Sequence, residues 1–175
     1  MAQYGWEIDL ARCTGCKTCA IACKAENNTP LTTNYREVVT EESGTYPNPR
    51  KEFITMACNH CAEPACMASC PVGAITKRAS DGIVLIDQDR CVGCRYCVWA
   101  CPYGAPRYNE STGKVEKCTF CVHRVSANGT LNPACVDACV GRAIKYTRDF
   151  TANGVGKAPA RFADPNLTHP SIRFV

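Results

Sequence analysis

At 175 residues the chain has room for one domain or two small fused halves, and sixteen of its residues are cysteine, far above ordinary usage. Five Phe and two Trp are too few for apolar burial alone to hold such a fold, so metal binding and folding are expected to be coupled. A net charge of +4, scattered without a polybasic run, argues against a nucleic-acid partner and suits a chain that offsets buried anionic centres.

Met1 to Asp9 carries no charged n-region, apolar h-region or twin arginine, so no secretory signal is expected. Trp6-Glu7-Ile8-Asp9 reads as a strand leading into the first cysteine group, Cys13-x2-Cys16-x2-Cys19-x3-Cys23. Residues 24–57 form the longest cysteine-free linker, with a strand expected at 36–41 and a turn around Tyr46-Pro47-Asn48-Pro49. The second group is Cys58-x2-Cys61-x4-Cys66-x3-Cys70-Pro71. Strands are expected at 75–77 and 83–86, joined by a hairpin turn at Asp81-Gly82. They lead into the third group, Cys91-x2-Cys94-x2-Cys97-x3-Cys101-Pro102. The fourth is Cys118-x2-Cys121-x13-Cys135-x3-Cys139, followed by a strand at 144–146. Past Phe150 the chain contains Gly and Pro without periodicity and reads as an extended arm, a docking segment or surface coil rather than core. Its densest apolar patch, Ile83-Val84-Leu85-Ile86, is far short of the roughly eighteen residues of a membrane span.

The groups are duplicated. Ile8-Asp9-Leu10-Ala11-Arg12-Cys13-Thr14-Gly15-Cys16 recurs as Ile86-Asp87-Gln88-Asp89-Arg90-Cys91-Val92-Gly93-Cys94, and Pro64-Ala65-Cys66 through Ile75 recurs as Pro133-Ala134-Cys135 through Ile144. Groups one and three match the bacterial ferredoxin run, whose first three cysteines bind one [4Fe–4S] cube and whose fourth reaches another. Two short x2 loops let three sulfurs converge on one cube, and the x3 step starts a helical turn that turns the fourth sulfur away. Gly15 and Gly93 suit tight loops that need glycine's conformational freedom. All four groups keep the closing Cys-x3-Cys. Pairing groups one with two and three with four suits the duplication as well as any other arrangement.

Zinc ribbons also use Cys-x2-Cys pairs, but they do not call for a third cysteine and then a fourth after x3, repeated along the chain. A disulfide scaffold fits neither the spacing nor the missing signal. His60 and His123 lie beside cysteine pairs, and with a full thiolate set present they read as packing, hydrogen-bonding or potential-tuning residues rather than ligands. Tyr96, Trp99 and Tyr103 read as core that shields clusters. Arg12, Lys17, Arg90 and Arg95 flank ligands and either raise cluster potentials or form solvated surface. No nucleophile or acid–base constellation is visible, so no active site is expected.

At Cys58-Asn59-His60-Cys61, at Pro64-Ala65-Cys66, and at Cys91 to Cys97 followed by Ala100-Cys101-Pro102-Tyr103-Gly104-Ala105-Pro106, the chain resembles a known family. These are the four-cluster iron–sulfur subunits of membrane-linked molybdopterin oxidoreductases, such as the dimethyl sulfoxide and polysulfide reductases. The resemblance covers about residues 3–150. It implies that group two pairs with three and group one with four. The implied ligand sets are Cys13, Cys16, Cys19 and Cys139; Cys23, Cys118, Cys121 and Cys135; Cys58, Cys61, Cys66 and Cys101; and Cys70, Cys91, Cys94 and Cys97. The implied fold is α+β: two interlocked ferredoxin-like 2[4Fe–4S] modules with short strands, short helices and long loops. Residues 58–101 form the inner module, 1–57 with 102–150 the outer, and 151–175 a tail. The related nitrate reductase subunit has tryptophan where Cys94 stands, which leaves a three-iron cluster. Cys94 therefore implies four [4Fe–4S] clusters here.

The resemblance further implies an electron relay in anaerobic respiration, between a large molybdopterin catalytic subunit and an integral membrane, quinone-binding anchor. The chain would then be peripheral to the cytoplasmic membrane, on its periplasmic face, with the cytoplasmic face as the alternative. The rival reading is a soluble polyferredoxin, or a subunit of a cytoplasmic formate or hydrogenase complex.

Overall fold

The computed structural model describes residues 2–124, 130–151 and 154–175; the middle of the x13 excursion in group four lies outside them. Short helices and strands are mixed along the chain, and the loops between them carry most of the cysteines. The elements are β1 (Gly5–Ile8), α1 (Thr18–Asn27), β2 (Arg36–Thr45), β3 (Asn48–Ala57), α2 (Ala65–Ala68), β4 (Ile75–Lys77), β5 (Val84–Ile86), α3 (Tyr96–Ala100), β6 (Arg107–Asn109), β7 (Lys114–Glu116), α4 (Ala134–Asp137), β8 (Ile144–Thr147) and β9 (Ile172–Phe174).

Strand pairing is what gathers the cysteine groups. β1, which leads into group one, pairs antiparallel with β8, which leaves group four, with Trp6 opposite Tyr146 and Ile8 opposite Ile144. β4, which leaves group two, pairs antiparallel with β5, which leads into group three. The Asp81-Gly82 turn between them forms as expected, with Gly82 at φ +71° and the Asp81 carboxylate accepting from the Ile83 N–H at 3.1 Å. The strands adjoining groups one and four thus pair with each other, as do those adjoining groups two and three.

The linker and the tail differ from expectation. Residues 24–27 complete α1, and the expected strand at 36–41 extends to Thr45. Asn48 and Pro49 are not in the turn but pair with Thr45 and Gly44 as the start of β3. Proline is tolerated there because a two-stranded hairpin has open edges. The tail is not an arm outside the core. β9 pairs parallel with β1, Trp6 against Ile172 and Ile8 against Phe174, and both Ile172 and Phe174 are 1% exposed. The tail's glycines and prolines carry it across the surface before this apolar triplet docks. The main core joins Trp6, Ile8, Ile54, Phe120, Ile144, Ile172 and Phe174 with buried cysteines, and the Trp6 and Phe120 rings stack at 4.0 Å.

Candidate metal centres

The repeated loops have repeated backbone geometry. Gly15 and Gly93 have φ +71° and +68°, and Lys17 and Arg95, which precede α1 and α3, have φ 60° and 67°. Each helix then begins at its third cysteine's turn and carries the fourth away. A side chain at Gly93 would place its Cβ 2.1 Å from the Gly113 carbonyl oxygen, whereas one at Gly104 (φ +60°) would meet nothing within 4 Å. Gly93→Ala should cost about 2 kcal/mol or more, from the left-handed backbone plus the backbone clash. Gly104→Ala should cost about 1 kcal/mol. Thermal melts of the two variants check this, and equal shifts would contradict it.

The second pair of groups is built alike. Pro64 and Pro133 precede α2 and α4 in extended conformation, presenting Cys66 and Cys135 from equivalent first turns. The N–H groups of Ala74 and Ala143 donate to the Cys70 and Cys139 sulfurs at 3.3 and 3.2 Å. At the equivalent centres of groups two and four, His60 and Phe120 both have positive φ and meet edge to face at 5.3 Å.

These loops place cysteines around cavities. Cys58, Cys61, Cys66 and Cys101 line one, Cys13, Cys16, Cys19 and Cys139 a second, and Cys70, Cys91, Cys94 and Cys97 a third. The remaining four, Cys23, Cys118, Cys121 and Cys135, are all buried. Burial pushes the Cys23 thiol up to about 12, and Cys135 and Cys121 add to it; Cys118 is pushed up by burial and by Cys23. Among the described residues no three His, Cys, Asp or Glu side chains gather to hold a single metal ion. Sulfurs ringing a void suit a multi-iron cube, whose corners keep its ligands apart.

The polar groups around these cavities also fit such a cluster. The Asn59 side-chain amide, the Thr119 hydroxyl, and Nε and Nη2 of Arg36 are buried without hydrogen-bond partners among the described residues. A buried donor left unmade costs about 1–3 kcal/mol, and cluster sulfurs are acceptors such donors can meet. Asn59 lines the cavity of Cys58 and Thr119 follows Cys118. Thr55 adds a hydroxyl 3.5 Å from the Cys19 sulfur. The raised thiol pKa values belong to the same account: burial holds the proton on Cys61 and Cys66 up to about 12, so iron must displace protons to bind.

Two cations are fully buried with this set. Arg36 donates to the Thr55 hydroxyl at 3.1 Å and lies 4.7 Å over the Trp6 ring. Burial disfavours its charge, the thiolates of Cys135, Cys118, Cys19 and Cys23 favour it, and the balance is upward. Lys117 donates to the carbonyls of Val84 and Cys118 and lines the Cys58 cavity. Neither was distinguishable in the sequence from an ordinary surface cation. Arg36 sits in a strand of mixed polarity, and only the pairing of β2 with β3 turns it inward beside Thr55.

The other singled-out residues divide. His60 is buried, and its Nδ1 accepts from the Val84 N–H at 3.0 Å. Burial lowers its pKa well below the ordinary value, with Lys117 and Lys77 adding to the effect, so it is a neutral packing residue. His123 pairs with Glu26 at 2.8 Å. Tyr103 is part-buried, bonds the Thr168 hydroxyl at 3.0 Å and lines the Cys101 cavity. Tyr96 and Trp99, expected in the core, are 52% and 73% exposed. The short α3 buries Cys97 and packs Val98 partly against the same apolar cluster, which leaves these rings outside, 5.9 Å apart. Arg95 lies 3.6 Å over the Tyr108 ring, and Arg90 donates to the Val72 carbonyl at 2.9 Å.

Residues 50–149 match the family of 4Fe-4S dicluster domains. Over 152 residues the sequence is 45% identical to a chain of the anaerobic dimethyl sulfoxide reductase of Escherichia coli (strain K12), covering 82% of this chain and 73% of that one. It is 47% identical over 146 residues to a subunit of the tetrathionate reductase of Salmonella typhimurium, covering 81% and 56%. It is 38% identical over 162 residues to a subunit of the sulfite dehydrogenase of Allochromatium vinosum, covering 82% and 68%. The protein belongs to the 4Fe–4S dicluster family of iron–sulfur subunits of molybdopterin oxidoreductases. Its function is electron transfer.

Proposed function

We propose that the sixteen cysteines hold four [4Fe–4S] clusters in one line, relaying electrons between a large molybdopterin catalytic subunit and an integral membrane, quinone-binding anchor. The proposed ligand sets are Cys13, Cys16, Cys19 and Cys139; Cys23, Cys118, Cys121 and Cys135; Cys58, Cys61, Cys66 and Cys101; and Cys70, Cys91, Cys94 and Cys97. Residues 58–101 form the inner ferredoxin-like module, and 1–57 with 102–150 the outer one, to which the tail 151–175 contributes β9.

The observation that carries this reading is which sulfurs influence one another. Cys19 is affected by Cys135 and Cys139. Cys118 is affected by Cys23 in its own set and by Cys58 in the next. Cys97 is affected by Cys91, Cys94 and Cys70, all of its own proposed set, and the short helix α2, which carries Cys66, ends just before Cys70 and so ties that set to the Cys58 one. These neighbours support an order of the four sets in one line, with the proposed modules meeting at Cys118 and Cys58. Six of the eight cysteines of the two middle sets, Cys23, Cys118, Cys121, Cys135, Cys58 and Cys66, are buried, against Cys19 and Cys97 of the eight in the end sets. Cys16 at one end is exposed, and so is Val92 at the other, which lines the terminal cavity. The ends are therefore more open to partners than the middle.

Each cluster, when bound, supplies a one-electron redox centre. The chain's own residues position the ligands, exclude water from the middle, donate hydrogen bonds to sulfur and set the local charge. Among the described residues no helix is long and apolar enough to cross a membrane. The anchor is accordingly assigned to another subunit, and the proposed place is peripheral to the cytoplasmic membrane on its periplasmic face. Anaerobic purification from detergent-solubilised membranes tests the assignment. Persistent elution with a large molybdenum-containing subunit and a membrane subunit is expected. Elution as a lone monomer supports a soluble polyferredoxin instead.

A further inference from the structure

We infer that Arg36 is the shared counter-charge of the two outer centres and raises the reduction potential of both. The inference rests on the four-cluster reading and adds a role to a residue outside every ligand set.

Arg36 is 2% exposed, and the described ion pairs give it no carboxylate. Its Nη1 is spent on Thr55, while Nε and Nη2 are buried without a hydrogen-bond partner among the described residues. A permanently charged guanidinium does not shed its proton to escape burial, so its charge must be met by something else nearby. The ionisable groups that favour its charge most are Cys135, Cys118, Cys19 and Cys23. Three of these belong to one proposed ligand set and the fourth to its outer neighbour. Each electron added at those sites adds a negative charge beside a fixed positive one, in surroundings that screen poorly. Reduction is thereby favoured where the guanidinium lies closest. Thr55, which holds Nη1, also contacts the Cys19 sulfur, so one hydroxyl fixes the cation relative to the ligands. The face of Trp6, stacked on Phe120, closes the other side.

The test is an EPR-monitored redox titration of the assembled complex carrying Arg36→Met or Arg36→Lys, with iron counted in each. Cys16→Ser and Cys94→Ser mark the signals of the two terminal centres. Arg36→Met should lower the midpoints of the two outer centres and leave the two inner ones unchanged. Arg36→Lys should lower the same two by less, since an ammonium keeps the charge but has a shorter reach and no fork. If the methionine variant loses iron, the lysine variant decides alone: a fall confined to the outer pair supports the role. Unchanged outer midpoints at full iron content, equal falls in both variants, or a fall shared by all four centres would overturn it. If the unsubstituted complex itself holds far fewer than about sixteen irons per chain, the four-cluster reading fails rather than this one.

Discussion

Cys118→Ala leaves the chain with about twelve irons or fewer and a marked loss of folded protein. Cys16→Ala, the exposed counterpart, loses at most its own centre and keeps the fold. The contrast follows from position. Cys118 is buried within the main core, in the same cluster as Trp6, Phe120 and Leu131, and its sulfur accepts from the Phe120 N–H at 3.4 Å. It also stands where the two proposed modules meet, acted on by Cys23 on one side and Cys58 on the other. In a small metalloprotein the binding free energy of the metal is folding free energy, so a vacancy here is felt by both modules. Cys16 is exposed, and water can fill its place. Iron content and protease resistance of the two variants, measured side by side, check the claim. Equal losses would mean that depth in the line has no bearing on assembly.

Phe174→Ala should lower stability by about 3–5 kcal/mol, roughly 10 °C in Tm for a chain of this size. Phe174 is 1% exposed and packs edge to face against Phe162 at 5.2 Å. Its strand completes the sheet that binds the N-terminus to group four: the Trp6 N–H donates to the Ser171 carbonyl at 2.8 Å, and the Val175 N–H to that of Ile8 at 3.0 Å. Removing residues 170–175 should do more, because it also bares the edge of β1, which leads directly into Cys13. Differential scanning of the iron-loaded protein reads both changes. A truncated chain that melts like the full one would return the tail to the status of an arm.

Much of the site was legible because cluster ligation constrains spacing directly. The four cysteine runs, Gly15 and Gly93, and the strands at β4, β5 and β8 all follow from residues close together in sequence. The tail was misread because Ile172-Arg173-Phe174 is a bare triplet whose partner, β1, lies far away in sequence. Its burial is a tertiary fact with no local period to announce it. Tyr96 and Trp99 show the opposite error. Aromatic residues beside ligands suggest shielding, yet a single helical turn can present only one side inward, and Cys97 and Val98 take it. Arg36, Thr55 and Lys117 were missed for a further reason: their meaning depends on what faces them across a hairpin or cavity. Only the repeated backbone geometry at His60 and Phe120 had a sequence signal, the equivalence of the second Cys-x2-Cys to the fourth.

The central claim is that all sixteen cysteines are iron ligands, and Cys94 bears on it most directly. Anaerobically purified protein, assayed for iron and acid-labile sulfide and examined oxidised by EPR, should hold about sixteen irons per chain and show no three-iron signal. Iron near twelve, or a three-iron signal in the carefully anaerobic preparation, would contradict it.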